Sequence, residues 1–261
     1  MTRPPSAPPL PAAFLSTPIA HRALHDRAAG RPENSRVAIA AAVAAGYGIE
    51  IDVQMSADGR AMVFHDDALD RLTEATGPLR ARDADTLGAI TLRDGAEGIP
   101  TLREVLSLVA GRVPLLIEVK DQDGALGPRT GDLERAVAGD LAGYAGPVAV
   151  MSFNPHAVRH LAQAAPDLPR GLTTCAFDQA DWDLPADRCD ALRRIAAYDE
   201  VGASFVSHQH GDLSAPRVAQ LKSQGAAVLC WTIRSPTEET AARRVADNVT
   251  FEGYTPAPVP A

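Results

Sequence analysis

The chain has 261 residues, 46% of them hydrophobic, and a formal net charge of -8 from 33 acidic and 25 basic residues. It is long enough to bury a sizeable core. It has no Lys/Arg run typical of a nucleic-acid surface and no apolar stretch as long as a membrane span. We therefore expect no nucleic-acid partner and no stable membrane insertion. Its three cysteines show no spacing typical of a zinc site or a redox pair, which favours reduced thiols and a cytoplasmic location.

The two ends of the chain are rich in proline and are predicted to lie outside the folded domain. Residues 1–15 are interpreted as an N-terminal extension, without the apolar run of a secretory signal. Residues 16–254 are predicted to form one domain, and residues 255–261 a Pro-rich tail. The sequence does not indicate an oligomeric state.

Short β-branched runs alternate with Ala- and Leu-rich amphipathic runs along this domain, as in βα units. Eight strands are predicted in chain order: Pro18–His21, Gly48–Gln54, Ala61–His65, Pro114–Lys120, Val148–Ser152, Gly171–Thr174, Ser204–Ser207 and Val228–Thr232. Helices are predicted between most of them: from Asn34–Ser35 to Gly46, from Thr101 to Gly111, and at Asp132–Leu141, Pro155–Ala165, Ala186–Tyr198, Ala215–Ser223 and Thr237–Asp247. This order predicts an α/β fold, a distorted TIM-type (β/α)8 barrel.

The predicted distortion lies between the second and third strands, where there is room only for a turn at Asp58-Gly59. If these strands pair antiparallel about that turn, Asp52 falls roughly opposite His65. The long connection Asp66–Pro100 that follows is expected to be functional or to contain small elements of its own.

Carboxylates alternate with apolar residues on two predicted strands. Glu50 and Asp52 share one face of the second strand, and Glu118 and Lys120 repeat the pattern on the fourth. Solvated strand faces would look the same, but barrel strands are normally covered on both faces. Three carboxylates from two strands suit one divalent cation, Mg²⁺ or Ca²⁺, better than zinc, which prefers nitrogen and sulfur ligands.

Two histidines end predicted strands, His21 with Arg22 beside it and His65. A single histidine at such a place is more often structural, but two beside a metal-bound phosphate are what acid–base cleavage of a phosphodiester requires. The forked guanidinium of Arg22 suits phosphate oxygens. Other histidines are interpreted as surface, packing or loop residues: His156 and His160 on a helix, His208 and His210 in a loop near the barrel mouth.

Taken in series, these motifs resemble the glycerophosphodiester phosphodiesterase family. The N-terminal motifs match in order and spacing: His21-Arg22, Pro32–Ser35, Glu50–Val53, Asp58-Gly59, Phe64–Asp66 and Leu69–Thr73. The resemblance continues through Ile99–Leu102 and Ile117–Lys120, and it is thinner beyond, at Ser152–Pro155 and Cys230–Thr232.

The resemblance implies a catalytic TIM-type barrel that hydrolyses glycerophosphodiesters to sn-glycerol 3-phosphate and an alcohol. In the family, a glycerol hydroxyl attacks phosphorus and water then opens the resulting cyclic phosphate. The roles that it implies here are metal binding by Glu50, Asp52 and Glu118, acid–base catalysis by His21 and His65, and phosphate binding by Arg22 and Lys120.

This chain departs from the family pattern in two places. Ala23 stands where glycine usually follows the His-Arg pair, a change that is tolerable unless the backbone there needs a positive φ. Asn248–Tyr254 takes the place of a late Thr-Asp-x-Pro motif. We also interpret Glu33 as a support for the His-Arg pair, and Phe153 and Trp231 as aromatic residues lining the mouth of the site.

Two alternative functions fit the same residues. One is a related barrel that acts on lysophospholipids in the manner of a phospholipase D. The other is a metal- or phosphate-binding barrel without catalysis. The sequence itself selects neither the alcohol of the substrate nor between Mg²⁺ and Ca²⁺.

Overall fold

Eight parallel strands close into a barrel in the computed structural model, which describes residues 7–256. Strand β1 completes the ring by pairing with β2 on one side and β9 on the other. The TIM-type barrel predicted from the sequence is therefore confirmed. The barrel strands are β1 (Ile19–Ala20), β2 (Gly48–Met55), β4 (Leu115–Val119), β5 (Val148–Ser152), β6 (Arg170–Thr174), β7 (Phe205–Gln209), β8 (Ala227–Ile233) and β9 (Asn248–Phe251), and β3 (Ala61–Val63) lies outside the ring.

The helices of this part of the chain begin and end at local signals that the sequence contains. Ser35 caps the helix that follows it by accepting a hydrogen bond from the Ala38 amide, and Gly46 ends it at φ +75°. The predicted capping box of Thr101 and Glu104 is present. The helices are α1 (Ala13–Ser16), α2 (Arg36–Ala45), α3 (Ala84–Ala89), α4 (Leu102–Val109), α5 (Asp132–Leu141), α6 (Pro155–Ala164), α7 (Ala186–Arg193), α8 (Pro216–Ser223) and α9 (Pro236–Ala242).

The barrel has eight strands, as predicted, but one of the eight predicted strands does not belong to it. The run around Ala61–Val63 forms β3, which pairs antiparallel with β2 as a hairpin and takes no place in the ring. The eighth barrel strand is β9, which the sequence analysis did not predict. Its Asn248 side chain points into the barrel interior and donates hydrogen bonds to the carbonyls of Phe14 and Thr17, at 2.7 and 2.6 Å. This polar residue interrupts the apolar run by which the other strands were recognised.

The predicted register of the hairpin was wrong by one residue. Val53 pairs with Val63, and the Phe64 amide donates to the Asp52 carbonyl at 3.0 Å, so Phe64 and not His65 lies opposite Asp52. The pairing ends there, which leaves His65 free to turn toward the barrel mouth.

The long connection after β3 has a small hydrophobic core of its own. It contains a 3₁₀ turn at Leu79–Ala81 and helix α3. Its buried residues pack together with two from the hairpin: Met62, Phe64, Leu69, Leu79, Ala84, Leu87, Leu92 and Ile99. The expectation that this segment carries its own elements is confirmed.

An apolar plug closes the end of the barrel opposite the strand C-termini. Phe14 of α1 is fully buried against Ile19, Leu116, Phe205 and Leu229 from four strands. Part of the predicted N-terminal extension thus packs on the barrel, while residues 1–6 and 257–261 of the Pro-rich ends lie outside the described residues. The domain boundaries themselves stay predictions. With the lower interior largely apolar, the polar side chains that could bind a ligand are expected at the other end of the barrel.

Candidate active site

Three carboxylates meet inside the barrel at the C-terminal ends of β2 and β4. Alternation along β2 turns Glu50 and Asp52 inward, and Asp52 pairs in register with Glu118 of β4. All three are buried, and one oxygen from each lies within 4.8 Å of the others. The convergence expected from the sequence is therefore present, and it makes an oxygen-ligand set for a divalent cation.

The charge of this cluster is only partly neutralised by protein groups. Lys120 Nζ lies 3.1 Å from Asp52 Oδ1 and 2.7 Å from Glu118 Oε1. Burial acts against ionisation of Asp52, but Lys120 and its other charged neighbours hold the pKa of that carboxyl well below its usual range. The pKa of Glu50 is instead raised well above its usual range, by burial and by the charges of Asp52 and Glu118. A further positive charge would relieve this repulsion, so the residues fit a bound cation.

Arg22 lines the same cavity and is held by a second carboxylate. Its amide donates to Glu50 Oε2 at 2.8 Å, and its Nη1 donates to Glu33 Oε1 at 2.8 Å. Arg71 holds Glu33 from the other side, through hydrogen bonds of 2.9 and 2.8 Å. Glu33 thus contacts Arg22 directly, and its role as a support stays a prediction. Arg22 Nε is buried, makes no hydrogen bond within residues 7–256 and lies 3.7 Å from Asp52 Oδ2, so its charge is directed toward the carboxylate cluster.

His21 is oriented by a carboxylate from the other end of the chain. Its Nδ1 lies 2.6 Å from Glu252 Oε2, and Glu252 also accepts a hydrogen bond of 2.7 Å from Arg234. The hydrogen bond from His21 keeps the pKa of Glu252 far below its usual range, so this carboxylate is ionised and can only accept. Burial lowers the pKa of His21, against the opposing effect of Glu252. A neutral His21 therefore carries its proton on Nδ1 and presents Nε2 as a proton acceptor.

His65 has the same arrangement on the other side of the cavity. Its Nδ1 lies 2.6 Å from Asp66 Oδ1, and Arg71 fixes Asp66 with a hydrogen bond of 2.6 Å. Both histidines line the cavity that contains the carboxylate cluster. Each is thus held at Nδ1 by an acidic partner, which leaves Nε2 to meet a ligand.

Two residues that position this site were not identified from the sequence. Glu252 follows the strand that was missed, in the segment replacing the late family motif. Asn34 adopts a positive φ of +58°, donates to Asp52 Oδ2 at 2.9 Å and accepts from the Asp52 amide at 3.2 Å. The signal for Asn34 was present, because asparagine tolerates this backbone conformation and here directly precedes the helix cap Ser35.

Ala23, which replaces the glycine usual in the family, lies at a position with a positive φ. Ala23 has φ +67° and Arg22 has φ +51°, so the position does require the left-handed region that glycine adopts most readily. The Ala23 amide nonetheless donates to the Glu50 carbonyl at 2.9 Å. The chain accepts local strain here to hold Arg22 over the carboxylate cluster.

The cavity has an aromatic side and a floor of hydroxyl groups. Phe153 and Trp231 line it, as expected, with ring centroids 5.6 Å apart. Thr173, Ser207 and Thr250 are buried at its floor, and their hydroxyl oxygens have no hydrogen-bond partner in the described part of the chain. Buried hydroxyls without partners cost free energy, so this floor suits water or a polyol.

Of the other histidines, one was placed wrongly by the sequence analysis. His208 is not in a loop: it belongs to β7, is buried, and contacts Thr174 Oγ1 at 2.8 Å and Asp212 Oδ2 at 3.2 Å. Burial lowers its pKa, against the opposing effect of Asp212. His210 begins the following 3₁₀ turn and lines the cavity.

Two further observations concern the helices and the cysteines of the described residues. None of these helices combines the length and apolar character needed to cross a bilayer. Cys175, Cys189 and Cys230 are buried and form no disulfide.

Comparisons with known proteins find one family over most of the chain. A sequence model of the "Glycerophosphoryl diester phosphodiesterase family" matches residues 21–251. The Bacillus subtilis protein YhdW is 27% identical over 86% of this chain and 88% of its own. A glycerophosphodiester phosphodiesterase of Caldanaerobacter subterraneus is 31% identical over 54% of this chain and 60% of its own. An Oleispira antarctica phosphodiesterase, solved with the product sn-glycerol-3-phosphate, superposes with a TM-score of 0.71 at 22% identity, covering 95% of this chain and 93% of its own.

Proposed function

The chain belongs to the glycerophosphoryl diester phosphodiesterase family, and from that premise we propose that it hydrolyses glycerophosphodiesters to sn-glycerol 3-phosphate and an alcohol, with one divalent cation. The observation that carries the proposal is the cluster of three buried carboxylates, within 4.8 Å of one another, in a cavity lined by two histidines. The Oleispira phosphodiesterase, whose solved complex contains sn-glycerol-3-phosphate, supports a small-molecule substrate of this kind.

Glu50, Asp52 and Glu118 would hold the cation, which we propose to be Mg²⁺ or Ca²⁺ because the ligands are all oxygens. When bound, it supplies positive charge that polarises the phosphoryl group. Lys120 contributes a cation of its own beside these carboxylates, and Arg22, whose Nε lies 3.7 Å from Asp52 Oδ2, adds a second one that can hold a phosphate oxygen.

The two histidines divide the proton transfers. His21 Nε2 takes the proton of a glycerol hydroxyl as that oxygen forms a bond to phosphorus, and His65 gives a proton to the alcohol oxygen as its bond to phosphorus breaks. Water then attacks the cyclic phosphate, losing a proton to His65 while His21 returns its proton to the glycerol oxygen. The neutral, Glu252-anchored state of His21 suits the first step, because a base must begin without the proton it takes.

The glycerol end of the substrate fits the floor of the cavity. The unpartnered hydroxyls of Thr173, Ser207 and Thr250 can exchange hydrogen bonds with a polyol, which would satisfy groups that are otherwise costly to bury. We also propose a cytoplasmic location, which the three unpaired cysteines support.

The two alternatives are less well supported than this function. Within residues 7–256, Val37 is the one large hydrophobic side chain that is exposed rather than partly or fully buried, so an acyl chain of a lysophospholipid would find no extended apolar surface outside the partly buried aromatic residues beside the cavity. A binding protein without catalysis would not need two histidines each fixed at Nδ1 by a carboxylate.

A coupled assay for glycerol 3-phosphate tests the proposal. Metal-stripped protein should show no turnover of glycerophosphodiesters, and addition of Mg²⁺ or Ca²⁺ one at a time should restore it. Undiminished activity in excess EDTA would contradict the metal requirement. Faster turnover of an acylated substrate than of its deacylated counterpart would favour the lysophospholipid function, and tight binding without turnover would favour the non-catalytic one.

A further inference from the structure

We propose that a groove beside the catalytic cavity binds the alcohol end of the substrate and selects alcohols that carry a positive charge, such as choline or ethanolamine. This inference rests on the proposed function, because it concerns the part of the substrate beyond the phosphate.

The groove opens directly from the catalytic cavity. The two share His65, Glu118, Lys120, Phe153 and Trp231 as lining residues, so a substrate bound at the carboxylate cluster can extend from one into the other. The groove has a volume of about 660 Å³, against about 220 Å³ for the catalytic cavity. It therefore has room for an alcohol larger than glycerol.

One wall of the groove is a fixed set of aromatic rings. The ring centroid of Phe153 lies 5.3 Å from that of Trp182 and 5.6 Å from that of Trp231, and Phe177 supports Trp182 from behind at 5.0 Å. Trp231 is anchored by a hydrogen bond of 3.0 Å from its Nε1 to the Ser207 carbonyl. The three lining rings are only partly buried, so part of each ring is accessible to a ligand. The face of an aromatic ring attracts ammonium groups through its negative quadrupole.

The groove also has acidic lining residues. They are four aspartates, one of them directly after Trp182 in the chain: Asp66, Asp67, Asp121 and Asp183. Lys120 is the one Lys or Arg among the lining residues that the structure describes, and it is already paired with Asp52 and Glu118. Asp66 is ion-paired with Arg71, whereas Asp67 and Asp121 accept hydrogen bonds from the neutral side-chain amides of Gln54 and Asn154, and Asp183 is exposed. The carboxylates of the groove therefore outnumber the cations beside them, which favours a cationic ligand and disfavours an anion.

Aromatic faces and carboxylates together discriminate between alcohols of similar size. A quaternary ammonium group has no hydrogen-bond donor, so it gains from ring faces and a negative field. A neutral polyol of the same volume can donate hydrogen bonds to the carboxylates, but it has no charge for the rings and the negative field to attract. The geometry therefore favours substrates such as glycerophosphocholine over neutral ones such as glycerophosphoglycerol.

The first test compares kcat/KM for glycerophosphocholine, glycerophosphoethanolamine and glycerophosphoglycerol in the metal-loaded protein. We expect the two cationic substrates to be preferred by about tenfold, which corresponds to one favourable cation–π contact. Trp182→Leu and Asp183→Asn should each reduce that preference severalfold. Asp181→Asn is the matched control, because Asp181 is a nearby exposed aspartate that does not line the groove, and it should leave the preference unchanged.

Equal turnover of all three substrates by the wild-type protein would overturn the inference while the proposed function stands. So would variants that lower kcat/KM for cationic and neutral substrates alike.

A second measurement tests binding in the groove independently of catalytic turnover. Choline and its neutral isostere 3,3-dimethylbutan-1-ol are titrated by calorimetry against the wild-type protein and Asp183→Asn, each first shown to be folded by circular dichroism. Tighter binding of choline, reduced in the variant, supports the groove even if no substrate is turned over. Equal or absent binding of the two ligands overturns it.

Discussion

The substitution Glu50→Gln separates the stability of the metal-free protein from its ability to bind metal. Glu50 lies with Asp52 and Glu118 inside 4.8 Å, and at that distance two like charges repel by about 3.5 kcal/mol at an effective dielectric constant of 20. Arg22 and Lys120 offset part of this repulsion. The glutamine side chain has no charge, but it keeps an oxygen that can accept the hydrogen bond from the Arg22 amide, which Glu50 Oε2 accepts at 2.8 Å in the wild type. We therefore expect the free energy of unfolding of the metal-free protein to rise by about 2 kcal/mol.

The pH dependence of this gain has a definite sign. The pKa of Glu50 is raised in the folded protein above its ordinary value, so the folded state holds that proton to a higher pH than the unfolded chain does. Glu50 therefore stabilises the fold at low pH, and that contribution is lost as pH rises through the folded pKa. Glu50→Gln should differ little from the wild type near pH 4.5 and be more stable at pH 8.

Thermal unfolding followed by circular dichroism measures both effects. In EDTA at pH 8, we expect the Tm of Glu50→Gln to lie several degrees above that of the wild type, since 1 kcal/mol shifts the Tm of a chain of this size by about 2–4 °C. With metal at about 100 times its Kd, the wild type should gain about 2.7 kcal/mol and the variant much less, so the order of stability should reverse.

The matched control for this experiment is Glu134→Gln. Glu134 is also a buried carboxylate whose pKa burial raises, but it accepts a hydrogen bond from the Gly131 amide at the start of α5 and lies outside the cluster. Its variant should keep the full stabilisation by metal. The reasoning is refuted if Glu50→Gln is less stable than the wild type in EDTA at pH 8, or if metal stabilises it as much as the wild type.

Three further predictions concern the partner of His21, the strained Ala23 and the buried histidine of β7. Glu252→Gln should lower kcat by about 100-fold with little change in KM, because it removes the charge that orients His21. An acidic limb of the pH–rate profile that is unchanged in the variant would argue against this role of Glu252. Ala23→Val should lower the free energy of unfolding, measured in urea, by about 2 kcal/mol or more, because a β-branched residue is strained at φ +67°. Ala23→Gly should stay within about 1 kcal/mol of the wild type, because relief of the backbone strain offsets the loss of the buried methyl group. His208→Gln should flatten the fall in Tm below pH 6.5, because the lowered pKa of this buried histidine makes protonation cost stability as pH falls; an equally steep fall in the variant would contradict it.

Local signals were enough to predict most of the barrel and the carboxylate cluster. Alternation of Glu50 and Asp52 with apolar residues places both on one face of a strand, and the turn at Asp58-Gly59 forces the hairpin. Such features depend on neighbours a few residues away. The one-residue error opposite Asp52 arose because the hairpin ends at Phe64, and nothing in the local pattern marks where pairing stops.

Glu252 could not be recognised in this way, because its contact with His21 joins residues 231 positions apart. Closure of the barrel nevertheless constrains it. Once β3 is recognised as the second arm of a hairpin, seven parallel strands remain, and a (β/α)8 ring requires one more after β8. Asn248–Phe251 is the run that follows the last helix, and closure places it beside β1. The residue after that strand must then emerge next to His21, which follows β1, so a carboxylate at position 252 is in place to hold the imidazole. The number of strands that the ring needs therefore predicts the partner of His21, which motif spacing does not reveal.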